Sequence, residues 1–463
     1  MLIYNTLSGQ KENLEKASIN KKIRLFVCGP TVYDYAHIGN ARTYIAFDII
    51  VRWLRKSGWK VYYLQNITDI DDKIIRRAAE ENISPETLAR KYEKIYLSDM
   101  KTLGIKSVTK YARATDHIRQ IIRQIQALIK NGNAYEISGD GIYFDISTFA
   151  SYGKLSRRTT EQAEDSISRI DESVNKKNKG DFALWKLTRS EKPAWDSPWG
   201  PGRPGWHIED TAITEHYFGS QYEVHGGAVD LKFPHHEAEI AQQESASGKS
   251  PLAKIWMHTG FLLVGGKKMA KSAGNFITVR DFLKKYPVSI SRYLVAVHHY
   301  RSPMDYSDKL AQQAESAIDN LSQFVAKLSL VYRDGRQETQ VKEDLRKAGE
   351  SFETAMNDDF NTPEALAAIF ILVNEFQKNF WDLGKAGAKK VKKFIKERLN
   401  DLGIELFLPK VPFKIKQIAK KRELFRVNKQ FVQSDNLRKE IERLGYGVED
   451  TPAGPFLWPK GKD

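Results

Sequence analysis

KIRLFVCGPTVYDYAHIGNARTYIAFDIIVRWLRKSGWKVYYL, residues 22–64, decides the fold class. Residues 22–27 are a short apolar run that reads as a buried strand, and Cys28-Gly29-Pro30 is turn chemistry. From about Ala41 to Lys56 apolar residues return at helical spacing. Ile45, Ile49 and Trp53 form one row, Ala46, Ile50 and Leu54 the next, and Gly58 lies just beyond. Residues 59–64 read as a second strand. Strand, helix and strand in one stretch predict a parallel βαβ unit, hence a doubly wound α/β domain near the N-terminus. His37-Ile38-Gly39-Asn40 falls between the first strand and its helix, at the carboxyl end of the strands, where such sheets bind ligands. The helix start there is expected to offer free N–H groups and positive potential to phosphate. A His and an Asn around a Gly suit phosphate oxygens or an adenine; they equally suit a polar loop with a helix-capping Asn.

The chain has 463 residues, too many for one core, and domains of roughly 100–200 residues make two to four. Hydrophobic residues at 41 % exclude wholesale disorder. No stretch approaches the roughly 20 apolar residues of a membrane span, and the first residues lack an apolar signal core. With Cys28 the single cysteine, no intrachain disulfide forms, and a cytoplasmic protein is expected whose thiol is free or metal-bound. Lys and Arg number 73 against 58 Asp and Glu, a formal charge of +15 that favours a polyanionic partner, nucleic acid or an anionic membrane.

Residues 161–180 are polar and charged and read as a surface excursion of an inserted segment. Aromatic, Gly and Pro density rises over 183–206, which predicts tightly held loops near a site. From about 308 to 404 the pattern is helical, as in Phe324, Leu328, Val331 and Ala365, Ala368, Ile369, Val373. Pro409 and Pro412 mark a linker, and residues 409–463 carry 13 Lys/Arg against 7 Asp/Glu.

Two further constellations carry chemistry. Lys268 and Lys271 in Lys268-Met269-Ala270-Lys271-Ser272 sit in a loop-like stretch, where paired lysines can close over a triphosphate as pyrophosphate leaves; an ordinary solvated basic loop has the same look. His235 and Glu239 are i, i+4 after Pro234, so both project from one helical face. With Cys28 at a strand end and Asp210 after an aromatic loop, one thiolate, one imidazole and two carboxylates can complete a tetrahedral zinc site. A solvated helix face and a small buried thiol are the plainer alternative.

Taken together, CGPTVYDYAHIGNAR (28–42), NITDIDDKI (66–74), DFALWK (181–186), WDSPWGPGRPGWHIE (195–209), GGAVDLKFPHHEAEIAQ (226–242) and KMAKSAGNFIT (268–278) resemble the cysteinyl-tRNA synthetases, a class I aminoacyl-tRNA synthetase family. Six motifs in register cover nearly the whole chain, more thinly from 310 to 400 and in the tail. His37 to Asn40 resembles the HIGH signature, and Lys268 to Ser272 resembles KMSKS with Ala270 in place of Ser. Gly227 and Asp230 resemble the segment that holds the adenosine ribose. Cys28, His235 and Glu239 match three zinc ligands, and the fourth, usually Cys, is here Asp210.

The resemblance implies a Rossmann-type parallel-sheet catalytic domain with an insertion, then a helical bundle and a small C-terminal module. The boundaries it implies are 1–120 and 201–280 for the two catalytic halves, 121–200 for the insertion, 281–404 for the helical region and 405–463 for a basic anticodon-binding module. It implies ATP with Mg²⁺, one Zn²⁺, cysteine and tRNA(Cys) as ligands, no membrane, and a monomer. His37, Asn40, Lys268 and Lys271 would stabilise moving charge, while Thr68 and Trp206 join Cys28 as pocket walls. A thiol-selective metal removes the need for an editing domain. A paralogue joining cysteine to an amino sugar would share these motifs but has no need of the basic tail. Another adenylate-forming enzyme would lack the cysteine-specific ligands, and a non-catalytic tRNA-binding protein has no need of both signatures. If Lys271 neutralises triphosphate charge, Lys271→Ala should slow cysteine-dependent ATP–pyrophosphate exchange at least about 100-fold, about 2.7 kcal/mol, with cysteine binding little changed. A near-wild-type exchange rate would remove Lys271 from the mechanism.

Overall fold

The computed structural model describes residues 1–158, 175–188, 193–269, 274–333 and 338–460. Most of the expected excursion at 161–180, together with Lys271 and Ser272, lies outside the described residues. The chain divides into two units, Met1–Ser307 with Ala355–Thr362, and Asp308–Thr354 with Pro363–Asp463.

The first unit is built on a five-stranded parallel sheet. Its strands are β1 (Lys22–Val27), β2 (Lys60–Ile67), β3 (Lys110–Arg113), β4 (Tyr222–Ala228) and β5 (Ala253–Thr259), in the order β5-β4-β1-β2-β3. This is the doubly wound order, and it reverses between β1 and β4. The crevice at the carboxyl ends of those two strands is therefore the expected ligand site, and a Cys28 N–H···O=C Gly226 bond (3.1 Å) closes its floor. Both inner strands are buried on both faces, which explains the near-continuous apolar reading of 22–27.

Helix α1 (Ile38–Lys56) crosses from β1 to β2 and begins three residues earlier than its apolar rows predict. The reason is a reciprocal cap. His37 Nδ1 accepts from Gly39 N–H (3.1 Å) and Asn40 N–H (3.3 Å), and Asn40 Oδ1 accepts from His37 N–H (3.2 Å). Helix α1 is pinned further by Asp48, which accepts from Lys106 and Ser107 N–H (3.0 Å each) and pairs with Arg292 (2.7 Å), both side chains buried.

Between β3 and β4 the chain inserts a helix (Ile118–Lys130) and a four-stranded antiparallel sheet, Ala134–Ile137, Gly141–Phe144, Phe182–Leu187 and Gly202–Pro204. The expected loops at 183–206 are thus partly sheet, because Phe182, Ala183, Leu184 and Trp185 are all buried in strand pairing. Helices α2 (Ile208–Phe218) and α3 (Glu237–Ser247) flank the return to the main sheet.

The second unit contains helices Asp308–Lys327, Glu338–Asn357 in part, Thr362–Lys378 and Gly384–Asp401, then α4 (Phe413–Val427), α5 (Phe431–Arg443) and a hairpin of Tyr446–Thr451 with Gly454–Pro459. Phe324, Leu328, Val331, Ala365, Ala368, Ile369 and Val373 are all buried, as their spacing predicts. No helix among the described residues is long and apolar enough to cross a membrane.

Burial alone would raise the Asp48 pKa, but Arg292 and Arg52 hold it below its ordinary value. The pair's contribution is therefore present at neutral pH and fades only as pH falls through the acid range below about 4. Arg292→Met removes the buried one of the two guanidinium partners of Asp48, leaving Arg52, and should lower unfolding free energy by about 1–3 kcal/mol in urea. Asp48→Leu/Arg292→Met should recover much of that loss, and an equal loss in both variants would deny the pair its role.

Candidate active site and metal centre

A cavity of about 270 Å³ opens at the β1/β4 crevice and is lined on one side by Cys28, Thr68, Trp206, Asp210 and His235, on the other by His37, Asn40, Asp230 and Lys268. One chamber thus holds most of the residues that the sequence singles out. Gly227 is not among its described lining residues. A Cβ there would lie 2.7 Å from His236 Cε1, so the glycine allows that imidazole to pack against β4. Lys271 lies outside the described residues.

The wall that carries His37 and Asn40 is assembled by backbone pairing. Ile38 N–H donates to Ile277 O (3.0 Å) and Val279 N–H to Ala36 O (2.9 Å), so the segment after the lysine loop is zipped to the start of α1. Phe276 stands edge-on to His37 at 5.2 Å. The expectation of free amides at the start of α1 is corrected here. The Ile38 N–H is spent on Ile277, and those of Gly39 and Asn40 on His37 Nδ1. What the cap leaves instead are side-chain donors, His37 Nε2–H and the Asn40 amide NH₂, because the acceptor atom of each is consumed. Burial pushes the His37 pKa down to about 4, opposed by Asp230 and reinforced by Lys268, so the ring is neutral at physiological pH. Lys268 Nζ pairs with Asp230 Oδ2 (2.8 Å), both partners exposed.

The other wall is a buried cluster of acids, thiol and imidazoles. Strand β1 delivers Cys28, helix α2 delivers Asp210, and His235 and Glu239 come from the wide turn Lys232–His236 and from α3. Their ligand atoms all lie within 4.8 Å of one another, and none of the four residues is more than 4 % exposed. His235 Nε2 is 3.0 Å from Asp210 Oδ2 and 3.1 Å from Glu239 Oε1, and Cys28 Sγ is 3.7 Å from Glu239 Oε1. Zinc arms of about 2.0–2.3 Å give tetrahedral edges of about 3.3–3.8 Å, close to these separations. Asp210 Oδ1 and Glu239 Oε2 are buried with no hydrogen-bond partner among the described residues. Burial first, then Asp210, pushes the Glu239 pKa well up; burial, Glu239 and Asp210 do the same to the Cys28 thiol. Two orphaned carboxylate oxygens beside a thiol are a donor set that fits a divalent cation.

Thr68 and Trp206 were expected on this wall, whereas its other supports, His207, Glu209, Gln124, Thr211 and Gln242, were not legible in the sequence. His207 Nδ1 meets His235 Nδ1 at 2.8 Å, and the Trp206 ring lies tilted against His235 with centroids 4.6 Å apart. Thr68 donates to the buried Glu209 carboxylate. Beneath, Thr211 Oγ1 donates to Gln124 Oε1 (2.7 Å) and Gln242 Nε2 to His207 O (2.8 Å), locking α2 against α3 and the inserted helix Ile118–Lys130. The HH pair at 235–236 was the only sequence sign of a larger imidazole cluster.

Comparison with known proteins gives this geometry a family. Residues 14–316 match the family described as "tRNA synthetases class I (C) catalytic domain", and residues 351–407 match the DALR domain. The chain is 42 % identical to the cysteine–tRNA ligase of Thermococcus gammatolerans, covering 99 % of each chain. It is also 42 % identical to that of Carboxydothermus hydrogenoformans, over 98 % of this chain and 99 % of the other. Among solved structures, Mycobacterium tuberculosis methionyl-tRNA synthetase in complex with methionyl-adenylate superposes with a TM-score of 0.60 at 17 % identity, covering 83 % of this chain and 90 % of that one, a likeness of fold. The doubly wound sheet, the two-walled cavity at its switch point and these full-length identities place the chain in the cysteine–tRNA ligase family of class I aminoacyl-tRNA synthetases.

Proposed function

We propose that this chain activates cysteine with ATP and transfers it to the 3′ end of tRNA(Cys). In the first step the cysteine carboxylate attacks the α-phosphate, forming cysteinyl-adenylate and releasing pyrophosphate. In the second, a terminal ribose hydroxyl of the tRNA attacks the adenylate carbonyl and AMP leaves. The observation that carries this reading is one cavity lined on one side by Cys28, Asp210 and His235, three of the four clustered donors, and on the other by His37, Asn40 and Lys268.

On the phosphate wall, His37 Nε2–H and the Asn40 NH₂ are donors held by the cap, aimed at oxygens that gain charge as pyrophosphate departs. Lys268 adds a cation once ATP, carrying its Mg²⁺, competes with Asp230 for it, and Asp230 is then released toward the ribose hydroxyls. Lys271 supplies the second cation of the loop. On the opposite wall, Cys28, Asp210, His235 and Glu239 are the residues that would hold zinc. Zinc bound there would supply a borderline-soft Lewis acid that favours a thiolate over serine's hydroxyl. Asp210 is a harder, weaker donor than the thiolate usual at its position, which leaves such an ion more electrophilic toward the incoming sulfur. Trp206 and Thr68 close the pocket beside the side chain, and Glu209 fixes the Thr68 hydroxyl.

For the tRNA, the reading assigns anticodon contact to residues 409–463, with their excess of basic side chains. The aromatic residues of this segment (Phe413, Phe425, Phe431, Tyr446, Phe456 and Trp458), which could stack on bases, divide. Phe456 and Trp458 are buried, stacked on one another at 6.1 Å, and Trp458 Nε1 donates to Asp319 Oδ1 (2.7 Å), so both serve the core of the unit. Phe413 and Phe431 are 75 % and 61 % exposed and remain as stacking surfaces.

Cysteine-dependent ATP–pyrophosphate exchange, followed by charging of tRNA(Cys), tests the proposal directly. Phe431→Ala should spare exchange and raise the KM for tRNA about tenfold or more, since base stacking on an aromatic contributes about 1–3 kcal/mol. Unchanged charging would remove Phe431 from the tRNA site. Protein purified without chelator should carry zinc, and chelation should collapse the cysteine-over-serine exchange ratio; a metal-free chain with undiminished selectivity would reduce Asp210 to a polar wall residue.

A further inference from the structure

Behind the ligand set of the pocket wall lies a second group of donors that the reaction does not use. His225 comes from β4 and His236 from the turn before α3. Their Nε2 atoms, with Cys28 Sγ and a carboxylate oxygen of Glu239, all lie within 4.8 Å of one another. His236 Nε2 is 3.1 Å from Cys28 Sγ, His225 Nε2 is 3.6 Å from it, and His225 Nε2 is 3.5 Å from Glu239 Oε2. These separations fall near the tetrahedral edges of about 3.3–3.8 Å that zinc arms require.

Three observations point beyond packing. Glu239 divides its oxygens: Oε1 faces His235 and the pocket set, whereas Oε2 faces His225 and is buried without a hydrogen bond among the described residues. Both imidazoles are oriented from behind. His225 Nδ1 meets the Tyr222 hydroxyl at 2.7 Å and His236 Nδ1 meets His258 Nε2 at 2.8 Å, with His258 Nδ1 held in turn by Thr6 Oγ1 at 2.9 Å. Such backing fixes the tautomer and ring plane of metal-binding histidines. Finally, neither histidine lines the cavity among its described residues, and both are fully buried, so the second set is closed where the first is open.

We propose that Cys28, His225, His236 and Glu239 form a second, inner position for a borderline divalent cation of the zinc class, sharing the Cys28 sulfur and the Glu239 carboxylate with the pocket-facing position. One thiolate, two imidazoles and one carboxylate make a donor set that neutralises a dication, a favourable balance for a closed, dry site. Binding there releases the Cys28 proton to solvent. With both positions filled, the sulfur and the two carboxylate oxygens bridge, as suits ions about 3.5–4 Å apart. The inner ion cannot meet substrate, and by drawing on the same sulfur it weakens what Cys28 gives the outer one.

The inference rests on the outer set only through the two shared residues, and the two fail separately. The test uses the full-length chain, stripped of metal and titrated with Co²⁺, whose charge-transfer absorption reports thiolate ligation and whose visible bands report four-coordination. Asp210→Ala/His235→Ala removes the outer donors, and His225→Ala/His236→Ala the inner ones. The expected result is one thiolate-bound, four-coordinate Co²⁺ per chain in each variant. In the wild type a second equivalent should shift the charge-transfer band of the first. One equivalent in the wild type together with retention in Asp210→Ala/His235→Ala also supports the inner position, with the two sites then exclusive. Loss of thiolate-bound cobalt in Asp210→Ala/His235→Ala that melts like wild type, with wild-type binding of one equivalent, overturns it and leaves a thiol–imidazole hydrogen bond between Cys28 and His236. Should that variant not fold, wild-type stoichiometry decides, two supporting the position and one overturning it. Loss confined to His225→Ala/His236→Ala would instead overturn the outer set and leave the inner one standing.

Discussion

Charge buried without compensation is the constraint around which this molecule is organised. Asp210, Glu239 and Cys28 meet at the end of β1, all but removed from water, with two carboxylate oxygens lacking any hydrogen bond among the described residues. An isolated carboxylate in such surroundings is destabilising by several kcal/mol, so the cluster is tolerable only when protonated or when a cation neutralises it. The imidazoles answer the same need. His235, His225 and His236 each turn one nitrogen into the cluster and have the other held by His207, Tyr222 or His258. Burial pushes the pKa of His225 and of His236 well down, which keeps both neutral and able to ligate.

The doubly wound sheet turns that constraint into a site. Reversal of strand order between β1 and β4 leaves a crevice with Cys28 on one lip and Ala228 and Asp230 on the other. The capped start of α1 faces it across the same opening. One end of the cavity is therefore rich in soft and acidic donors, the other in N–H donors and a lysine. Such a division suits a substrate whose two ends are a thiol and a carboxylate joined to phosphate. The polar lock of Gln124, Thr211 and Gln242 keeps α2 and α3 in register, so that the donor atoms of Cys28, Asp210, His235 and Glu239 arrive from separate elements within 4.8 Å of one another.

Much of this was legible in the sequence because it is written within single elements. The rows on α1 and the His235/Glu239 spacing depend on local periodicity, and the structure repeats them. What escaped depends on contacts between elements. The cap on α1 consumes amides that the fold class alone would offer to phosphate, and only the reach of His37 back to Gly39 and Asn40 reveals it. His225 reads as an ordinary strand residue until β4 is set beside β1. Trp458 reads as a base-stacking candidate until its indole N–H is seen to donate to Asp319, 139 residues away. The aromatic stretch at 183–206 reads as loop because Gly and Pro are dense in its second half, yet strand pairing claims Phe182–Leu187.

The central claim is that cysteine is chosen by a bond between its sulfur and an ion held at the pocket wall. X-ray absorption at the zinc edge on the full-length His225→Ala/His236→Ala chain, which keeps only the pocket-facing donors, loaded with one equivalent of Zn²⁺, tests it most directly. Without substrate the account predicts one sulfur neighbour, that of Cys28, among nitrogen and oxygen ligands; with cysteine bound it predicts two, and with serine one. A sulfur count that stays at one when cysteine is bound would contradict it.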